Sequence, residues 1–164
     1  MKKMVEDLYL ILSKERDVYQ EAVQIAEEKQ SVIVNGELKE LEKMTAREQA
    51  LVASLIKLEN MRGKVLDDMI RALQAEHINT LTDLLPYLDE SSKAKLGQVK
   101  NELSQSVNSL KEKNELNGKL LEQSLDLIHL NIELMNSLEA DGQYTGKAVD
   151  SKAKTKSSLF DAKV

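Results

Sequence analysis

Only two histidines occur in the chain, His77 and His129. Asp126, His129 and Glu133 are spaced three and four residues apart, which places them on one face if the segment is helical. A carboxylate three residues from a histidine is the ligand pair of a di-iron helical bundle, but such a centre needs two pairs. The other histidine, His77, has Gln74 in the matching position, and an amide cannot supply that charge. The triplet therefore reads as a charged cluster on a helix surface. No cysteine is present, which removes thiol nucleophiles, disulfides and thiolate metal sites. The sequence has no HExxH, no phosphate-binding glycine loop and no paired-glycine dinucleotide motif. Serines and acids are plentiful, but no pattern orders a nucleophile with its base. These observations predict no enzyme activity, no cofactor and no catalytic or metal-binding residue.

The spacing that remains is apolar. The segment LLEQSLDLIHLNIELMNSL, residues 120–138, carries Leu121, Leu125, Ile128, Ile132, Met135 and Leu138 in a three-four rhythm. Leu120, Leu127, Leu130 and Leu134 add a second stripe, about 100° further round a helix axis. A helix in a two-layer bundle needs one such stripe. The surplus requires a cover, from elsewhere in the chain, from a second copy or from a foreign partner.

Long helices must position this segment. One proline and six glycines in 164 residues are too few for a sandwich or barrel. Met4, Leu8, Ile11, Val18, Ala22, Ile25 and Val32 mark a first helix over about 2–34, with Val5, Leu12, Tyr19, Ala26 and Ile33 beside them. Glu15 and Lys29 occupy two slots of that stripe. Asn35-Gly36 tolerates the left-handed backbone that ends a helix. A second helix restarts at once over about 37–75, so it must fold back antiparallel. Gly63, inside it, weakens the helix and leaves room for close packing or a bend. Thr80 with Asp83 predicts a capped short helix over 80–85, which Pro86 interrupts. Asp89 then caps a third long helix over 90–139, whose rhythm Asn114 and Asn117 interrupt; polar seam residues of this kind fix register. The expected fold is all-α: an antiparallel bundle, or coiled coil, of three long helices plus one short helix.

Residues 140–164 lose the periodicity and read as a disordered tail holding Tyr144 and Phe160 as isolated apolar anchors. Net charge is −5, with the basic residues weighted toward the tail. An acidic body argues against a nucleic-acid partner. No window approaches the roughly 20 apolar residues of a membrane span. The N-terminal apolar run is broken by Glu6 and Asp7, so it is not a signal peptide. The chain reads as soluble and intracellular.

The order of these pieces resembles a known family. Two long helices join at Asn35-Gly36, and the short piece LTDLLPYLDE follows. A third long helix ends LNIELMNSLE, and a tail with Tyr144 ends LFDAKV. This layout is similar to the FlgN family of flagellar export chaperones. The resemblance implies a cytoplasmic protein that binds hook–filament junction (hook-associated) proteins and keeps their terminal helices from premature assembly. It implies delivery to the export gate, or cytosolic export components, of the flagellar type III apparatus, with no nucleotide or metal. The partner-binding residues it points to are Leu120, Leu121, Leu127, Ile128, Leu130, Leu134, Met135, Leu138, Tyr144 and Phe160. Phe160 could equally dock on the protein's own apolar groove, or serve with Tyr144 as a linear motif for the export gate. The alternative reading is a homo-oligomeric coiled-coil structural or adaptor protein, with the surplus stripe buried in a homodimer.

Overall fold

The computed structural model describes residues 1–75, 78 and 80–145, with side chains described up to Gly142. His77 and Phe160 lie outside the described residues, as does the side chain of Tyr144. Helix α1 spans Lys2–Asn35, α2 Leu38–Leu73, α3 Leu81–Leu84 and α4 Glu90–Thr145, with a 3-10 turn at Leu85–Tyr87 after α3. No strand occurs among the described residues. The chain divides into two compact units, Met1–Ser124 and the stretch from Leu125 onward.

Each boundary has a local cause. Gly36 sits at φ 68°, where only glycine is unstrained, and the amides of Gly36 and Glu37 donate to the carbonyls of Ile33 and Val32. α3 opens with a complete capping box: the Asp83 amide donates to Thr80 Oγ1 and the Thr80 amide to the Asp83 carboxylate. Asp89 caps α4 by accepting from the Ser92 amide and hydroxyl, and that backbone bond holds the Asp89 carboxyl below the ordinary carboxylate range. α2 stops at Leu73 rather than at residue 75, because Gln74 adopts a left-handed backbone with φ 49°. α4 continues six residues past Glu139, through Gly142 to Thr145. One interior glycine costs a helix only about 1 kcal/mol, which is too little to end it.

Ion pairs set the packing in the unit Met1–Ser124. α2 runs antiparallel to α1, with Glu15 facing Arg62 and Lys29 facing Glu48. α4 runs parallel to α1: Arg16 pairs with Glu102 and Lys113 with Glu27, both 2.8 Å. Arg16 and Glu102 are 86 residues apart, and so are Glu27 and Lys113. Carried to Asn35, the last residue of α1, that offset lands on Leu121. Asn117 reinforces the register: its buried side-chain amide donates to the Ala26 carbonyl at 2.8 Å.

The main core gathers α1, α2, α3 and α4 around Val5, Leu8, Leu12, Met69, Ile78, Leu84, Leu96 and Val99. A smaller cluster, Ile25, Val32 and Met44, holds the hairpin end. The two charged residues in the α1 stripe are both matched from α2. Glu15 is buried and bonded to Arg62 at 2.7 Å, and Lys29 meets Glu48 at 2.8 Å. Burial pushes the Glu15 carboxyl above its ordinary value, and Arg62 offsets part of that rise. Gly63 serves no close approach, since a Cβ there would meet nothing within 4 Å.

Candidate partner-binding face

The candidate face lies on α4. Leu120 and Leu121 belong to the first unit and are half-buried there. Leu121 lines a cleft with Ala22, Leu51, Leu55, Leu110 and Asn117. The picture changes at Leu125. From there to Leu138, eight large apolar side chains are at least half exposed, from 50% at Ile132 to 70% at Leu138. Earlier on the same helix, Leu96 and Val99 are 0% and 1% exposed.

Six of the residues singled out from sequence lie in this exposed stretch: Leu127, Ile128, Leu130, Leu134, Met135 and Leu138. The backbone of Tyr144 falls in the last turn of α4. Leu125 and Ile132 were not singled out from sequence. Both fit the first stripe with Leu121, Ile128, Met135 and Leu138, and they are 57% and 50% exposed. Their spacing matches that of the buried leucines. The available signal was length instead: an α1 that stops at Asn35 cannot cover a helix of 56 residues.

Both stripes are therefore open, and the apolar surface covers well over half the helix circumference between Leu125 and Leu138. The remaining arc is polar and acidic. Residues 125–142 contain Asp126, Glu133, Glu139 and Asp141 and no Lys or Arg. Asp126 and Glu133 are seven residues apart, so they share one side across two turns. Ser137 turns its hydroxyl back to the Leu134 carbonyl at 2.8 Å, which leaves the outer surface apolar. Asp126, His129 and Glu133 do not gather into a metal-ligand cluster among the described residues. What such a face offers is apolar area, arranged at i, i+3, i+4 and i+7 for another amphipathic helix.

A smaller apolar groove lies on the α1–α2 hairpin, where Leu10, Ile11, Leu58, Met61 and Val65 meet between Lys14 and Lys64. Among the described residues, no helix is long and apolar enough to cross a membrane.

A family model described as FlgN protein matches residues 1–151. The chain belongs to the FlgN family. FlgN proteins are flagellar export chaperones, a family of binding proteins rather than enzymes, and their partners are flagellar substrate proteins. The match covers the first unit, the second as far as residue 151, and all four helices. A relative in Bacillus subtilis (strain 168), named "Uncharacterized protein YvyG", is 26% identical over 148 residues, spanning 89% of this chain and 90% of its own. No solved structure matches the chain.

Proposed function

We propose that this FlgN-family chain is a cytosolic chaperone for hook–filament junction proteins. It covers their terminal helices until they are handed to the type III export apparatus. The observation that carries this reading is the stretch Leu125–Leu138, where eight large apolar side chains stand at least half exposed on two adjacent stripes. A client helix laid along it would be held by side chains at helical spacing, with Leu127, Leu130 and Leu134 as its main anchors. Completing the burial of a half-exposed leucine contributes about 1 kcal/mol. Ordering the client segment offsets several kcal/mol of the total. The balance is a moderate, reversible affinity, which suits a complex that must later release its client.

Calorimetric titration of the full chain with junction proteins and with their terminal peptides tests this. The expected result is micromolar binding that falls at least tenfold when Leu127, Leu130 and Leu134 are changed to Ala, a loss of about 1.4 kcal/mol or more. Unchanged affinity in the triple variant would overturn the assignment of the face.

The competing reading is a homo-oligomer that buries the same stripe in a second copy. Equal acidic charge on both copies disfavours it, since each would bring Asp126, Glu133 and Glu139 beside the shared face with no Lys or Arg in 125–142 to offset them. Equilibrium ultracentrifugation separates the two: a concentration-independent monomer is expected.

A further inference from the structure

The exposed stripe of α4 and residues 146–164 have complementary character. Residues 125–142 carry four acids and no Lys or Arg. Residues 146–164 carry Lys147, Lys152, Lys154, Lys156 and Lys163 against Asp150 and Asp161. Among the described residues, Asp126, Glu133 and Glu139 form no ion pair. The lysine-rich stretch leads to the adjacent pair Leu159-Phe160, which includes the chain's single phenylalanine. An acidic, apolar helix face is thus tethered to a basic segment that carries large apolar side chains.

The tether has the right length. Fourteen residues separate Thr145 from Phe160. Fully extended, that stretch spans at most about 50 Å, at 3.3–3.6 Å per residue. Along α4, at 1.5 Å per residue, Leu127 lies about 27 Å back from Thr145. Phe160 can therefore reach every part of the exposed stripe. A short tether raises the local concentration of one partner at the other, which sustains a contact that is weak between separate molecules.

We propose that residues 146–164 fold back on α4. Leu159 and Phe160 cover the stretch Leu127–Leu134, and the tail lysines meet Asp126, Glu133 and Glu139. The tail is then the resident cover of the face when no client is bound. The contact itself does not depend on the chaperone reading; the statement that it competes with a client rests on that reading. A tethered competitor that occupies the face weakens client binding. Salt, which screens the lysine–carboxylate attraction, relieves part of that competition.

The chain has no cysteine, so Ser158→Cys provides a single site for a nitroxide in the full-length protein. Paramagnetic broadening of backbone amides then reports where the tail lies, with no client present. The expected result is strongest broadening over Asp126–Leu138, reduced by half or more when Leu159→Ser and Phe160→Ser are added, and reduced again in 0.5 M NaCl. Three results would overturn the proposal. The first is equal broadening with and without the Leu159 and Phe160 changes, as a tail with no docking site would give. The second is broadening centred on the groove of Leu10 and Met61. The third is broadening of an isotope-labelled copy by a separate spin-labelled copy, which would make a second molecule the occupant. None of these bears on client titration, so the tail contact and the chaperone reading fail separately.

Discussion

Residues 96–121 and 125–138 lie on the same helix, and both carry large apolar side chains every three or four positions. In the first stretch Leu96, Val99 and Leu103 pack into the core with α1, α2 and α3, and Leu96 and Val99 are closed off from solvent. In the second, the equivalent side chains are exposed. Periodicity states that a face is apolar; it does not state what covers it. The cover is decided by the length of the neighbour and by the register that sets the two helices side by side. That register rests on a few polar contacts, Arg16–Glu102, Lys113–Glu27 and the Asn117 amide on the Ala26 carbonyl.

The contrast can be broken most visibly by truncating one leucine in each stretch. Leu96→Ala leaves a cavity among four packed elements and is expected to lower stability by about 2–5 kcal/mol. Leu134→Ala removes an exposed side chain and should stay within about 0.5 kcal/mol. Urea unfolding measures both. Client titration should reverse the order, with Leu134→Ala weakening binding and Leu96→Ala leaving it unchanged under conditions where the variant remains folded. Similar stability losses at both positions would mean that the second stretch is core after all.

A smaller effect tests the charged slot in the first stretch's partner helix. Glu15 is buried against α2, and desolvation raises its carboxyl above 4.5, the ordinary value for a glutamate, more than Arg62 lowers it. The folded state then holds the Glu15 proton more tightly than the unfolded state does. Its contribution to stability is greatest at low pH and is lost as pH rises above 4.5 through the raised folded value. The wild type should therefore lose stability relative to Glu15→Gln as pH increases across that range, which urea titrations at a series of pH values would show. A relative gain with rising pH would mean that the Arg62 bond outweighs burial.

The smallest expected change lies at Gly63. A methyl group there meets nothing within 4 Å, so Gly63→Ala should stabilise α2 by about 1 kcal/mol. A loss of stability, read as a drop in melting temperature, would reveal a backbone requirement that the geometry does not show.

Much of the fold is legible in the sequence because its signals are local. Asn35-Gly36, the Thr80–Asp83 box and the Asp89 cap each act within a few residues, and each forms as the sequence predicts. The end of α2 is not legible, because Gln74 adopts a left-handed backbone without the glycine that would announce it. The site is half legible for a related reason. Excess apolar residues in 120–138 reveal that something must be covered, but Leu121 and Leu125 look alike in sequence. One is half-buried and the other exposed, because the offset of α1 against α4 ends between them. That offset depends on contacts between residues 86 to 91 positions apart, which no local pattern encodes.

Hydrogen–deuterium exchange of the full chain, with and without a junction protein, tests the central claim most directly. A helical stretch that no other helix covers, held at most by a weak tail contact, opens at low free-energy cost, so amides of 125–142 should exchange much faster than those of 92–121 in the free protein. Adding client should slow exchange over 125–138 and leave the core of Leu8, Met69 and Leu96 unchanged. Protection that appears on α1 or α2 instead, or no change over 125–138 with client bound, would contradict the account.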